Sequence, residues 1–223
     1  MAGTHPVKEK SLRMTSTRRR CITTVLAVSA LTTITACGHN DDSTEGHGHQ
    51  DLTKTSPNIT WEPGPAGLDT PTSAAGPHET NPVPHDFDDT PHGAVLAAIT
   101  GQVWMAGADD QTWPEVSREL LEPGKGRDQW AQARTLMSVN GKVKESAEFT
   151  GFVIDDYTDD AATVVLASHW PDGKDRAYPV QVSHASGDWK VVLPEQGQEP
   201  DLTDLDNTDD FIPLTDKDTA NEK

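Results

Sequence analysis

Cysteine is nearly absent from this chain of 223 residues, with only Cys21 and Cys37 present. Basic residues are few, 18 against 36 acidic ones. Long hydrophobic runs are missing: the most apolar stretch, from about Cys21 to Ile34, falls short of the roughly 20 residues that a membrane-spanning helix needs. Each shortage excludes something. Two cysteines, both near the N-terminus, rule out a disulfide scaffold, so stability must come from a hydrophobic core. A net charge of −18 opposes nucleic acid, whose binding rests on basic contacts to phosphate. Sites of familiar chemistry are missing too. There is no Ser-His-Asp pattern, zinc motif or phosphate loop, so the sequence assigns no catalytic residue, no metal ligand set and no cofactor, and an enzyme is not expected.

What is present is organised around residues 18–37. Arg18, Arg19 and Arg20 precede the apolar run, and small residues follow it, in the order of a secretory signal. Met14 begins a more compact version of the same signal than Met1 does. Ile34-Thr35-Ala36-Cys37 resembles the lipobox of bacterial lipoproteins, with isoleucine where leucine is usual. That resemblance implies cleavage between Ala36 and Cys37 and lipidation of Cys37, which would place the chain on the extracytoplasmic face of the cell membrane. Removal of residues 1–36 leaves 12 basic against 35 acidic residues, a net charge of −23. Such a body is held at the membrane by its anchor and not by its surface.

The remainder divides into a flexible spacer (37–59), one domain (60–194) and an acidic tail (195–223). His39, His47 and His49 in the spacer could take a transition metal, since imidazole suits several, but a polar linker is the plainer reading. Residues 60–89, rich in proline and glycine, read as an extended lead-in. Thr90-Pro91 opens a helix to about Ala106, with Val95, Leu96, Ile99 and Val103 on its core face. Two more helices are predicted over 113–121 and 127–138, the latter burying Trp130, Ala133, Leu136 and Met137. After Asn140-Gly141 the period changes to alternation. Strands are expected near 149–155, 161–168, 177–183 and 188–193, turning at Asp172-Gly173 and Ser186-Gly187. The fold class is α+β: N-terminal helices, then an antiparallel four-stranded meander. The tail should be solvated, apart from Phe211, Ile212 and Leu214. Asp204, Asp206, Asp209 and Asp210 resemble a calcium loop without its glycine and glutamate. A pair such as Asp155 with His169 could do acid–base work, with Asp156, Asp159 and Asp160 nearby, but nothing in the sequence brings the two together.

Trp61-Glu62, Gly76-Pro77, the run Thr90-Pro91-His92-Gly93-Ala94-Val95-Leu96-Ala97-Ala98 and the closing Gly187-Asp188-Trp189-Lys190 together are similar to an uncharacterised family of actinobacterial proteins. Members of that family are often lipoproteins and often belong to conjugative elements. Helices followed by strands that end in this tryptophan also resemble the cone-shaped nuclear transport factor 2-like fold. The resemblance implies a membrane-anchored protein of binding or scaffold type with protein partners in an envelope assembly of transfer or secretion. The alternatives are metal capture by the spacer histidines and small-ligand binding in a cone.

Overall fold

Helix α1 (Pro91–Gly107) runs through the centre of the computed structural model, which describes residues 52–214. It starts where the sequence predicts. Thr90 is extended and its hydroxyl accepts a hydrogen bond from the Gly93 N–H at 3.2 Å, with Pro91 in the first turn. The core face is wider than expected. Every residue from Gly93 to Gly101 is buried, because small side chains let strands from before and after it and the helix that follows approach from several sides.

The lead-in is more ordered than an extended strap. Strands β1 (Thr60–Pro63) and β2 (Asp69–Thr72) form a two-stranded antiparallel sheet of their own. Val83 and Phe87 from this region join the core beside α1, as does Ile59, at the end of the stretch expected to be a flexible spacer. Helix α2 (Trp113–Glu119) is short, and α3 (Lys125–Arg134) ends four residues earlier than predicted.

Helix α3 also corrects the predicted core. Leu136 is 88% exposed and Met137 57% exposed, whereas Arg134 is only 4% exposed. The Arg134 Nη2 donates to the Ala108 carbonyl at 2.9 Å, and its guanidinium lies 6.0 Å from the Trp113 ring centre. Trp130 meets Trp113 edge-on at 6.1 Å. Gly126, Trp130 and Arg134, spaced by four, therefore make the inward face, and Ala133, Leu136 and Met137 are turned to solvent. Period alone had favoured the apolar set. The long aliphatic stem and planar head of arginine, laid on tryptophan, take its place.

The main sheet has six strands, not the four read from the sequence. Strands β3 (Glu148–Tyr157), β4 (Ala161–His169), β5 (Asp175–Ser183), β6 (Lys190–Val192) and β8 (Ile212–Pro213) lie in the order β6-β5-β4-β3-β8, all pairs antiparallel. Both additions come from the tail: 203–205 was expected to be solvated, whereas Ile212 was among the residues excepted from that expectation. Strand β7 (Thr203–Leu205) pairs with the start of β5, and β8 (Ile212–Pro213) covers the edge of β3. Charge explains the first: Asp204 accepts from Arg176 at 2.8 Å and Lys174 at 2.7 Å. Edge protection explains the second, since an uncovered β3 would expose unpaired backbone groups. Phe152, Val164, Leu166, Val180, Val182 and Val191 turn one face of the sheet onto α1. The protein is thus α+β, with three helices and antiparallel sheets among the described residues.

Candidate functional site

The sequence-predicted lipidation and cleavage residues, Cys37 and Ala36, lie outside the described residues, as do His39, His47 and His49. The acid–base pair is within them and does not form. On β3, Asp155 lies in the irregular step between the pairs Ile154↔Val164 and Asp156↔Thr163, whereas His169 is opposite Glu148. That separation along the strand is roughly 20 Å. His169 instead meets Asp175 across the β4–β5 turn, Nδ1 to Oδ1 at 2.7 Å. Asp156, Asp159 and Asp160 are exposed. Asp204 is held by Arg176 and Lys174, so the calcium-like acids do not converge, and no set of three metal-ligating side chains gathers among the described residues.

The stretch Gly187 to Lys190 does bring distant parts together. Asp188 Oδ2 accepts from the Asp86 N–H at 2.8 Å, and Oδ1 accepts from the N–H groups of Phe87 at 2.9 Å and Trp189 at 2.8 Å. One carboxylate thereby ties the lead-in to the sheet, in charge-assisted bonds stronger than neutral ones. Trp189 is fully buried, its ring 5.2 Å from that of His184 and 5.9 Å from that of Tyr157. Lys190 Nζ donates to the Arg118 carbonyl at 2.9 Å and so fastens α2. The motif is a structural joint. A turn at Ser186-Gly187 was legible in the sequence, but the reach of Asp188 across 102 residues was not.

Next to this joint, His78 Nε2 and Asp88 Oδ1 are 2.8 Å apart, with the side chains 46% and 45% exposed. The hydrogen bond that Asp88 accepts holds the His78 imidazole above its ordinary pKa, helped by the charges of Asp88, Asp86 and Asp188. A raised folded-state value means that the pair adds stability below the unfolded value of 6.5 and loses it as pH rises through the folded one. Solvent screens so exposed a pair, so the effect on folding is small. Titration of the imidazole resonances is expected to place His78 above 6.5 and to bring it down in Asp88→Asn. An unchanged value in that variant would remove Asp88 as the cause.

Two grooves lie on the surface of the described residues. The first, about 440 Å³, lies between the β1–β2 turn and the end of α1, with Pro65, Trp104, Asp109 and Val139 on its walls. Its polar groups are already used within the chain. Asp109 accepts from the N–H groups of Gln111 and Thr112, and Thr112 holds its carboxyl below the usual range. Trp104 Nε1 donates to Thr70 Oγ1 at 3.2 Å. The second groove, about 300 Å³, lies over β5 and β6 and includes Gln102, Thr163, Tyr178 and Gln181. No charged side chain lines it. Burial pushes up the pKa of the Tyr178 hydroxyl, with the Glu199 charge adding to it. Such a surface can hold neutral polar groups. It offers neither a nucleophile beside a base nor a pair of carboxylates.

Fold and surface together define a small α+β domain whose prominent polar side chains mostly join its own parts. The chain belongs to the family described as Domain of unknown function (DUF8175), whose model matches residues 27–213. No curated protein and no solved structure matches it.

Proposed function

We propose that this protein is a lipid-anchored lipoprotein on the extracytoplasmic face of the cell membrane, and that its domain is a non-catalytic binding or scaffold module with protein partners in an envelope assembly. The observation that carries this reading is the extent of the family match. It begins at residue 27, inside the apolar run, and so takes Cys37 together with the domain. That extent is what a family in which anchor and domain go together would give.

The separation of Asp155 from His169 supports the non-catalytic part of the reading, as does the internal use of Asp188, Arg176 and Asp204. Helices packed on an antiparallel sheet suit the cone-shaped nuclear transport factor 2-like class, and an actinobacterial conjugative element is the setting that the sequence resemblance favours. Fold class alone does not choose a partner. The anchor is tested by intact mass and membrane fractionation of the chain expressed with its own leader. A diacylglyceryl-modified chain starting at Cys37 is expected, and Cys37→Ala is expected to lose both the lipid mass and the membrane fraction. Equal fractionation of the two forms would end the reading. Capture of channel or coupling-ATPase components from gently solubilised membranes would support the scaffold role, whereas a lipidated protein recovered alone would weaken it.

A further inference from the structure

We infer that the second groove, between the outer edge of β5 and the chain that follows β6, binds a single neutral pyranose sugar. The inference goes beyond the proposed anchor and does not depend on it. Its starting point is a gap in the sheet. Strand β6 pairs with residues 181–183 of β5 and β7 with residues 175–177, so Tyr178, Pro179 and Val180 have no strand partner on that edge. Proline, which lacks an N–H, suits an unpaired edge. Between the two pairings, residues 193–202 leave the sheet as an arch, and Leu193, Pro194, Gln198 and Pro200 form the wall of the groove opposite β5. The arch is fixed at its start. Glu195 meets Lys125 of α3 at 3.3 Å, and the Gln196 N–H donates to the Gln129 side-chain carbonyl at 2.8 Å. At Gly126, α3 lies so close that a Cβ would strike the Leu193 carbonyl. The groove is held open because its outer wall is tied to a helix and not to the sheet.

Chemistry selects the ligand. Gln102 of α1, Thr163 of β4, Tyr178 and Gln181 of β5 and Gln198 of the arch line the groove. Among the described residues, none of these five side chains has a hydrogen-bond partner within the chain, unlike the polar groups of the first groove. Each can both donate and accept. Their counterpart is a group that does the same, and a ring of hydroxyls is that group. Charged residues make up 24% of the chain, yet none lines this groove. The acids of the arch are engaged, Glu195 with Lys125 and Glu199 with the Gly197 N–H at 2.7 Å. A charged ligand would meet no countercharge, and burying its charge unpaired is costly. The Glu199 charge felt at Tyr178 opposes an anion further. Val180 and Val191, both almost fully buried, give the closed end an apolar floor for the C–H face of a sugar.

Size limits the ligand to one ring. The volume of about 300 Å³ is at the lower end for small-molecule sites. The gap on β5 is about 10 Å long and is closed at both ends by β6 and β7, so an added peptide strand cannot run through it.

The test follows the side-chain amide resonances of Gln102, Gln181 and Gln198 in the full chain, held in a detergent without a sugar head group. The probes are glucose, galactose and mannose, each free and as its methyl glycoside, with glucuronate as the charged comparison. At least one neutral sugar is expected to shift all three amides saturably, with a Kd on the order of 1 mM, the strength that so few atoms allow. Glucuronate is expected to bind at least about tenfold more weakly. Gln181→Ala, at an exposed position, and Tyr178→Phe, which keeps the ring, are each expected to weaken binding roughly three- to tenfold, the loss of one hydrogen bond. Gln111→Ala, outside the groove, should leave binding unchanged. Binding of a methyl glycoside extends the ligand to the end of a glycan chain, and binding of the free sugar alone confines it to a monosaccharide; both support the inference. Amides unmoved by every neutral sugar far above that Kd overturn it, as does glucuronate bound as tightly as the neutral sugars. Shifts that Gln181→Ala and Tyr178→Phe leave intact also overturn it. Shifts caused by an extended uncharged peptide and by none of the sugars overturn it in favour of strand addition at β5.

Discussion

Trp189→Ala is expected to lower the unfolding free energy of the domain by about 3–5 kcal/mol, the range for truncating a buried tryptophan. Trp189 has no exposed surface, and it fills the space between the sheet and α1 next to His184 and Tyr157. Its removal leaves a cavity under the lead-in, where Asp188 alone would still hold Asp86 and Phe87. Collapse into that cavity is restrained, because the backbone on either side is tied by the Asp188 carboxylate and by the Val191 N–H to the Leu120 carbonyl at 2.8 Å. Urea denaturation of the full chain, followed by far-ultraviolet circular dichroism, measures the loss. A midpoint within error of the parent would show that Trp189 is not the keystone of the core. Trp189→Phe keeps most of the apolar contact and should recover much of the difference, since its Nε1 has no hydrogen-bond partner to lose.

Gly93→Ala is expected to cost about 3 kcal/mol or more, at the upper end of what overpacking usually does. In the middle of an exposed helix the same change would be stabilising. Here a Cβ at position 93 would lie 2.0 Å from the carbonyl oxygen of Asp88 and 3.0 Å from its carbonyl carbon. That obstacle is backbone, so no rotamer change relieves it. The segment carrying Asp88 and Thr90 must move off the helix, which would also disturb the Thr90 hydroxyl that caps the Gly93 N–H. Gly101→Ala offers the contrast, because its Cβ would meet only the Val191 side chain, at 2.4 Å. Parallel thermal melts of the two variants should separate them, with Gly93→Ala much the lower. Equal melting temperatures would mean that the turn before α1 yields freely.

The effects of these residues connect stability to the proposed role. The lead-in, α1 and the last sheet strands are joined through Gly93, Asp188 and Trp189. A binding module of the kind proposed would gain from that rigidity, since a partner then meets a pre-organised face.

Sequence alone determined the elements whose causes are local. Thr90-Pro91 starts α1 because a threonine hydroxyl and a proline act within one turn of the chain, and Asp172-Gly173 and Ser186-Gly187 turn the sheet because glycine accepts positive φ, +78° at Gly173 and +91° at Gly187. Only the tertiary structure decided what depends on distant partners. Arg134 is inside because Ala108 and Trp113 wait for it, against the apolar stripe that the 127–138 spacing favoured. Residues 203–205 became a strand because Arg176 and Lys174 attract Asp204, while their own sequence is that of an acidic tail, and the apolar Ile212, excepted from that tail, found the open edge of β3. Asp155 and His169 were two candidates on adjacent strands until register placed them at opposite ends. Local chemistry sets turns and caps, but register and burial are long-range pairings, and those leave little mark on the residues that make them.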